Sequence, residues 1–363
     1  MTVRPGAATR SAGRRRTTPP VALRDIGALT WAPVAAMVLL LLVSITAPNF
    51  AAAIALPVAV VGALVGVPHG AVDHLVPGWV AGSRAPAGSA RAGGGRLRLA
   101  RFLGLYVAAA AAAATALIVA PTPTLLAFLV LSGAHFGWGE VVTSGERSGR
   151  TARLGVGSGL VAAANGMAVV GLLMWRNPAA TDPYLRALSP TVADWAMATA
   201  APGVLITCVI VATALVYLMA KQQRLEAAEL LLLTTVFLLC PPLAAFGVYF
   251  GLWHALRYTG RLLDLLRNAD PRHSRFEQGW APSWMRLARL STIPTALALL
   301  AVLAVARFHD IASLQAEVSV LLAVTFPHAA VVAGLDLERG RYAPGPSPAD
   351  ARPDTQPASS ITS

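Results

Sequence analysis

The chain has 363 residues, a formal net charge of +12, and 56% hydrophobic but only 13% charged residues. A soluble domain carries about 25% charged residues, so the composition excludes an ordinary soluble protein. The positive charge lies in short segments between long apolar blocks and has no aromatic–basic motif beside it. This pattern argues against nucleic-acid binding and indicates an integral membrane protein.

The apolar blocks match the length of about 20 residues that an α-helix needs to cross a bilayer. They predict an all-α, polytopic transmembrane bundle over residues 29–336, between disordered cytoplasmic tails at 1–28 and 337–363. Proline lacks an N–H, so the pair at 241–242 predicts a turn between the seventh and eighth spans. The ten predicted spans lie near 30–47, 51–75, 99–120, 122–142, 154–175, 200–220, 227–240, 242–266, 288–306 and 315–335.

The arginines concentrate in alternate connections between these spans, including the one that follows span eight and contains Arg257 and Arg261. Cytoplasmic connections are the ones enriched in Lys and Arg. The alternation therefore predicts that both termini are cytoplasmic. The two cysteines, Cys208 and Cys240, lie inside apolar runs and have neither disulfide nor metal-ligand spacing, so we expect them to be small buried apolar residues.

Four histidines, His69, His135, His254 and His328, lie inside spans two, four, eight and ten, which all run in the same direction. At 1.5 Å per residue, their positions along the spans place them at similar depth in the cytoplasmic half of the bilayer. Ionisable side chains at membrane depth usually face the bundle interior and mark a functional site. Imidazole binds iron, zinc, copper and nickel, so the pattern favours one shared metal site.

Two other uses of these histidines remain open at the level of the sequence. A single histidine in a membrane bundle is commonly an interhelical hydrogen-bond partner. Two histidines on facing helices can also be the axial ligands of a haem.

Several neighbours of the histidines are candidates for supporting roles. Asp73 follows His69 by four residues and would share its helix face, where a carboxylate can orient a ligand imidazole; an ordinary interfacial aspartate is the alternative. Glu140, five residues after His135, is a second candidate for such a role. Tyr258 follows His254 by four residues and is expected on the same face.

Aromatic residues also accompany the histidines. They could line a tunnel for a long apolar substrate, although core packing is the commoner role of such residues. The candidates for substrate contact are Phe136, Trp138, Phe250 and Trp253.

The segments PHGAVDH at 68–74, AHFGWGE at 134–140 and YFGLWHALR at 249–257, with the Pro-His pair at 327–328, resemble the Brp/Blh family of bacterial β-carotene 15,15′-dioxygenases. The resemblance implies Fe(2+)-dependent cleavage of β-carotene by dioxygen at its central double bond, giving two retinal molecules. It also implies that His69, His135 and His254 are catalytic iron ligands. The expected location is the plasma membrane, with a rhodopsin-like retinal-binding protein as a possible user of the product.

One position departs from the family pattern, which has a second histidine where this chain has Tyr258. Because a phenolate can bind ferric iron, Tyr258 is a further candidate metal ligand, as is His328. Three outcomes stay open: His328 completes the ligand set, the site has three histidines with Tyr258 beside them, or the chemistry has changed. The alternative function is a carotenoid- or retinal-binding membrane protein without catalysis. A transporter is a third hypothesis, against which the chain has no convincing paired Gly/Pro-interrupted repeats.

Overall fold

The computed structural model describes residues 27–84, 95–269, 280–309 and 313–341. Every regular element within these ranges is helical, so the predicted all-α fold is confirmed. The helices are α1 (Gly27–Thr46), α2 (Pro48–Ala53), α3 (Ala55–Gly70), α4 (Val76–Arg84), α5 (Gly95–Val119), α6 (Pro121–Ser148), α7 (Val156–Gly166), α8 (Leu172–Trp175), α9 (Pro178–Leu188), α10 (Pro190–Ala198), α11 (Ala200–Ala220), α12 (Arg224–Leu239), α13 (Pro242–Val248), α14 (Ala255–Asn268), α15 (Ala281–His309) and α16 (Ser313–Arg341).

Eight segments in the described ranges are long and apolar enough to cross a bilayer. They are Gly27–Thr46, Ala55–Gly82, Leu97–Val119, Pro121–Ser148, Val156–Trp175, Ala200–Ala220, Ala281–Ala304 and Val318–Glu338. Large apolar side chains on their outer faces are highly exposed, as for Leu105 at 73% and Ile118 at 80%. Contiguous apolar surface of this kind marks a membrane contact, so the chain is a membrane protein.

The other two predicted spans, seven and eight, are helical but less typical of membrane crossings. The seventh corresponds to α12, which has only 16 residues. The eighth begins at Pro242, and its second half, α14, carries Arg257, Arg261, Asp264 and Arg267. The count of ten spans and the cytoplasmic placement of both termini stay predictions. The predicted tails at 1–28 and 337–363 lie mostly outside the described residues, although α1 begins at 27 and α16 extends to 341.

Backbone contact through glycines joins α3 to the helix that begins at Pro242. A Cβ added to Gly62 would overlap the carbonyl oxygen of Gly247, and one added to Gly247 would overlap that of Val58. A Cβ on Gly251 would lie 2.6 Å from the carbonyl oxygen of Gly62. Small residues allow membrane helices to approach this closely. The contact fixes the helix that carries His69 against the segment that ends at His254.

A similar contact joins α6 to α7. A Cβ on Gly166 would overlap the carbonyl oxygen of Gly133, and one on Gly137 would overlap that of Ala162. Beyond Gly166 the helix continues through a π-turn, Met167–Gly171, into α8. This contact holds the segment of α6 on which His135 lies.

The chain turns at the predicted proline pair. Helix α12 ends at Leu239, Cys240 is extended, and α13 begins at Pro242. Helix α13 runs into a second π-turn, Tyr249–His254, and then into α14. Both cysteines are free, with Cys240 buried and Cys208 half-buried.

Candidate metal centre

Four helical segments each bring one histidine to the same place in the bundle. His69 lies in the last turn of α3, His135 lies within α6, His254 ends the π-turn, and His328 follows Pro327 within α16. Three of these side chains, those of His69, His254 and His328, are buried, and His135 is half-buried. The four histidines, expected at comparable depth, therefore converge in space.

The imidazoles form one contiguous cluster. One ring nitrogen from each of His69, His254 and His328 lies within 4.8 Å of the other two. His135 joins the group because its Nε2 lies 3.3 Å from the Nε2 of His254. Its ring centroid also lies 5.2 Å from that of His328. The tightest set of three thus contains His328. The resemblance, by contrast, implied His135 as a ligand and left His328 as a further candidate.

Hydrogen bonds define the orientation of two of the imidazoles. The Nδ1 of His69 contacts the carbonyl oxygen of Gly66, and the Nδ1 of His328 lies 2.8 Å from Asp73 Oδ2. A carbonyl or carboxylate oxygen only accepts, so both Nδ1 atoms carry the proton. The Nε2 lone pairs are then available to a ligand. That of His328 is buried and has no hydrogen-bond partner among the described residues.

Asp73 orients a different imidazole from the one that its spacing indicated. Helix α3 ends at Gly70, and Asp73 begins a separate 3₁₀ turn, Asp73–Leu75. The rule that residues i and i+4 share a face needs an unbroken helix, so it does not apply here. Asp73 instead accepts from His328 and, at 3.1 Å on the same oxygen, from the hydroxyl of Tyr106. Tyr106 was missed because a single tyrosine in an apolar run gives no signal.

Tyr258 lies against the histidine cluster. Its ring centroid is 5.7 Å from that of His69 and 5.7 Å from that of His328, with edge-to-face geometry at both. The side chain is 4% exposed, so it closes this side of the cluster from solvent. Both Tyr258 and His254 contact the ring of His69.

Glu140 belongs to a buried ion network, so its pairing differs from the imidazole contact that was expected. Its Oε2 accepts a hydrogen bond from Arg257 Nη1 at 2.9 Å. Arg257 also donates to Glu229 at 2.8 Å, and Arg147 donates to the same glutamate at 2.6 and 2.9 Å. The arginine was counted from the sequence as a charge of a cytoplasmic connection, yet it is 3% exposed and lies inside the bundle.

A second arginine that was counted from the sequence as a charge of a cytoplasmic connection is also buried. Arg261 is 1% exposed, donates from Nε to Glu146 at 2.9 Å, and pairs through Nη2 with Asp336. It therefore connects α14 to α6 and α16, the helices of His135 and His328. Sequence reasoning missed these ion pairs because the partners lie on different helices.

Two of the four candidate aromatic residues line the cluster. The ring of Phe136 lies 4.9 Å from that of His254, and the ring of Phe250 lies 5.7 Å from that of His69. Trp253 is fully buried, but its ring stacks under the guanidinium of Arg257 at 3.8 Å. Trp138 is half-buried. Phe136 and Phe250 thus remain the candidates for contact with an apolar ligand, while Trp253 packs in the ion network.

The cluster fits a bound transition metal. Imidazole nitrogens are good ligands for iron, and a buried lone pair without a donor, such as that of His328, is costly unless a cation or donor faces it. Asp73 and the Gly66 carbonyl supply the outer hydrogen bonds that ligand imidazoles usually make.

Comparisons with known proteins identify the family of this chain. The family model described as beta-carotene 15,15'-dioxygenase matches residues 58–336, which include all four histidines. A relative from Halobacterium salinarum, named probable beta-carotene 15,15'-dioxygenase Blh, is 26% identical over 226 residues, or 57% of this chain. The matched region spans 61% of that relative, less than two thirds of its length. No solved structure matches the chain. Because the family model covers more than half of the sequence, the chain belongs to the beta-carotene 15,15'-dioxygenase family.

Proposed function

We propose that the protein cleaves β-carotene at its central 15,15′ double bond. The bond breaks, each of its carbons takes one atom of a dioxygen molecule, and two molecules of retinal result. The observation that carries the proposal is the convergence of four imidazoles from separate helical segments, inside the region that the family model matches.

The proposed cofactor is Fe(2+), held by His69, His135, His254 and His328. Iron supplies the binding and activation of dioxygen. The histidines hold it with neutral nitrogens, and Asp73 fixes the ring of His328 so that its Nε2 faces the centre. Tyr258 stays beside this set and shields it, which makes His328 the replacement for the histidine that the family pattern has at position 258.

The apolar surroundings suit both the substrate and the reaction. β-Carotene dissolves in the hydrocarbon of the bilayer, where the proposed site also lies. Phe136 and Phe250 flank the imidazoles and offer flat apolar surfaces to a conjugated chain. Exclusion of water from this centre protects the activated oxygen from side reactions. The proposed location is the plasma membrane, from which retinal passes to a retinal-binding, rhodopsin-like protein.

Expression in cells that accumulate β-carotene tests the proposal directly. Active protein bleaches the cells and yields retinal, which liquid chromatography quantifies. Purified protein from the same cells should contain iron, measured by elemental analysis. Unchanged β-carotene in cells that contain folded, iron-loaded protein would sink the proposed reaction.

Tyr258 favours a second candidate, a carotenoid-binding protein without catalysis, because it stands where the family has a ligand histidine. In that case the purified protein would retain intact carotenoid, visible in its absorption spectrum, and no retinal would form. The same expression experiment therefore separates the two functions.

A further inference from the structure

One hydrogen bond connects a lipid-facing helix to the histidine cluster. The hydroxyl of Tyr106, on α5, donates to Asp73 Oδ2, which also accepts from His328 Nδ1. We propose that Tyr106 is a positioning residue of the metal centre, which acts through Asp73 on His328. The inference rests on the proposed metal site, but it assigns a role to a residue outside the segments that carry the family resemblance.

The surroundings of Tyr106 argue for a polar rather than a packing role. Only 6% of the apolar window of α5 between Leu97 and Val119 is buried, so this helix mostly faces lipid. Residues 108–114 of α5 are all alanines. A hydroxyl at membrane depth needs a partner, since a polar group left without one in hydrocarbon is costly. Tyr106 is half-buried, and its partner is the carboxylate next to the cluster.

The geometry at Asp73 explains why a second donor matters. The side chain is 2% exposed, and both hydrogen bonds converge on Oδ2, while Oδ1 is buried without a hydrogen-bond partner in the described residues. A carboxylate with one bond can pivot about that bond. Two donors on one oxygen, from α5 and α16, fix its position. The carboxylate can then hold the Nδ1 proton of His328 in one direction.

The backbone of α3 also packs against the imidazole of His328. A Cβ added to Gly70 would lie 3.4 Å from His328 Nδ1, so the imidazole packs directly over this glycine. With Gly70 beneath the ring and Asp73 at Nδ1, the position of Asp73 decides where Nε2 points. Tyr106 therefore influences the direction of a lone pair that it does not touch.

Titration of the metal-free, full-length protein in detergent with Co(II), followed by the visible absorption of the bound ion, tests the inference. Loss of an outer hydrogen-bond partner typically weakens metal binding by about 10–100-fold. We expect about tenfold weaker binding for Tyr106→Phe and a larger loss for Asp73→Ala, with a changed Co(II) spectrum in both. Tyr184→Phe, on α9, is the matched control and should bind like the wild type.

A double-mutant cycle separates positioning from a general packing effect. If Tyr106 acts through Asp73, then Tyr106→Phe should cause no further loss in protein that already carries Asp73→Ala. An equal tenfold loss in both backgrounds, or wild-type binding and spectrum in Tyr106→Phe, would overturn the inference while the metal site stands. Wild-type protein that binds no Co(II) and no Fe(II) would overturn the metal site and the inference together.

Discussion

Two polar clusters lie within the helical bundle, and they differ in how their charges are matched. In the ion network, each arginine faces carboxylates: Arg257 contacts Glu140 and Glu229, and Arg261 contacts Glu146 and Asp336. In the histidine cluster, imidazole nitrogens face one another, as Nε2 of His135 and Nε2 of His254 do at 3.3 Å. The first cluster matches positive charges with negative ones, whereas the second needs a cation or a proton at its centre.

The difference assigns different tasks to the two clusters. Ion pairs between α6, α12, α14 and α16 hold helices together, because separation of a buried pair leaves a charge in a medium that solvates it poorly. The imidazoles instead can still bind a cation or a proton. Substitutions in the two clusters should therefore separate loss of folding from loss of function.

The largest effect is expected for His254→Ala. His254 contacts both His69 and His135, so its removal takes away the central member of the cluster. Bound iron should fall close to zero, and retinal formation should fall by more than the roughly 100-fold cost of losing an outer partner. Helical content, measured by circular dichroism, should not change.

His74→Ala is the matched control for this prediction. His74 is half-buried five residues after His69, and within the described residues no ring contact or hydrogen bond joins it to the four clustered histidines. The His74→Ala protein should retain its iron. Full iron content in the His254→Ala protein would remove His254 from the ligand set.

The ion network should show the opposite behaviour in Arg257→Met. This substitution leaves the Glu140 carboxylate without the arginine that it contacts at 2.9 Å. Removing one partner of a buried pair costs about 3–5 kcal/mol, so the free energy of unfolding in detergent should drop by that order. Adding Glu140→Gln should recover part of the loss.

An arginine at the surface provides the comparison. Arg186 pairs with Asp182 and Asp194 but is exposed, and Arg186→Ala should leave the melting temperature unchanged. Equal melting temperatures for Arg257→Met and Arg186→Ala would show that the buried network contributes no stability.

Gly247→Ala should affect both clusters moderately. The added methyl group overlaps the carbonyl oxygen of Val58 and forces α3 away from α13. Overpacking of this kind costs about 1–3 kcal/mol, and the shift also moves His69 relative to His254. We expect lower thermal stability together with weaker metal binding.

Gly104→Ala is its control, because a Cβ at Gly104 meets no atom within 4 Å. Stability and metal binding should stay at the wild-type level in that variant. Normal metal binding in Gly247→Ala would mean that the glycine contact does not set the geometry of the cluster.

Tyr258→His should have the smallest effect, and in the favourable direction. The new imidazole would lie beside His69 and His328, whose ring centroids are 5.7 Å from that of Tyr258. A further ligand should raise metal affinity by about tenfold, or about 1.4 kcal/mol, measured by competition with a chelator. Tyr258→Phe tests the hydroxyl alone: weaker metal binding in that variant would show that the tyrosine itself is a ligand.

The sequence predicted the histidines of the cluster better than their partners. His69, His135, His254 and His328 could be selected because isolated imidazoles in apolar runs are rare, and equal depth on helices with one direction implied proximity. The i, i+4 spacing did not predict the partner of Asp73, because α3 ends at Gly70 and the residues after it no longer follow the helical repeat. Its true partner, His328, lies on the last helix, and no local rule connects two such distant positions.

Charge patterns were similarly ambiguous at the ends of helices. The distribution of arginines along the sequence assigned Arg257 and Arg261 to a cytoplasmic connection. In the structure both side chains are buried in the ion network. Only the positions of Glu140, Glu146, Glu229 and Asp336 on neighbouring helices distinguish the two interpretations. The sequence contains those acidic residues but not the packing that brings them to the arginines.

The π-turn at Tyr249–His254 has a consequence for how this site can change over time. A π-turn is equivalent to one extra residue inserted into an α-helix, and such insertions occur frequently at functional sites. Deleting one residue there would restore the regular helical repeat. Helix α13 would keep its glycine contact with α3, and α14 would keep its arginines in the ion network. Only the side chains of the turn would be redirected, so this is the part of the bundle where the chain can gain or lose a ligand without having to refold.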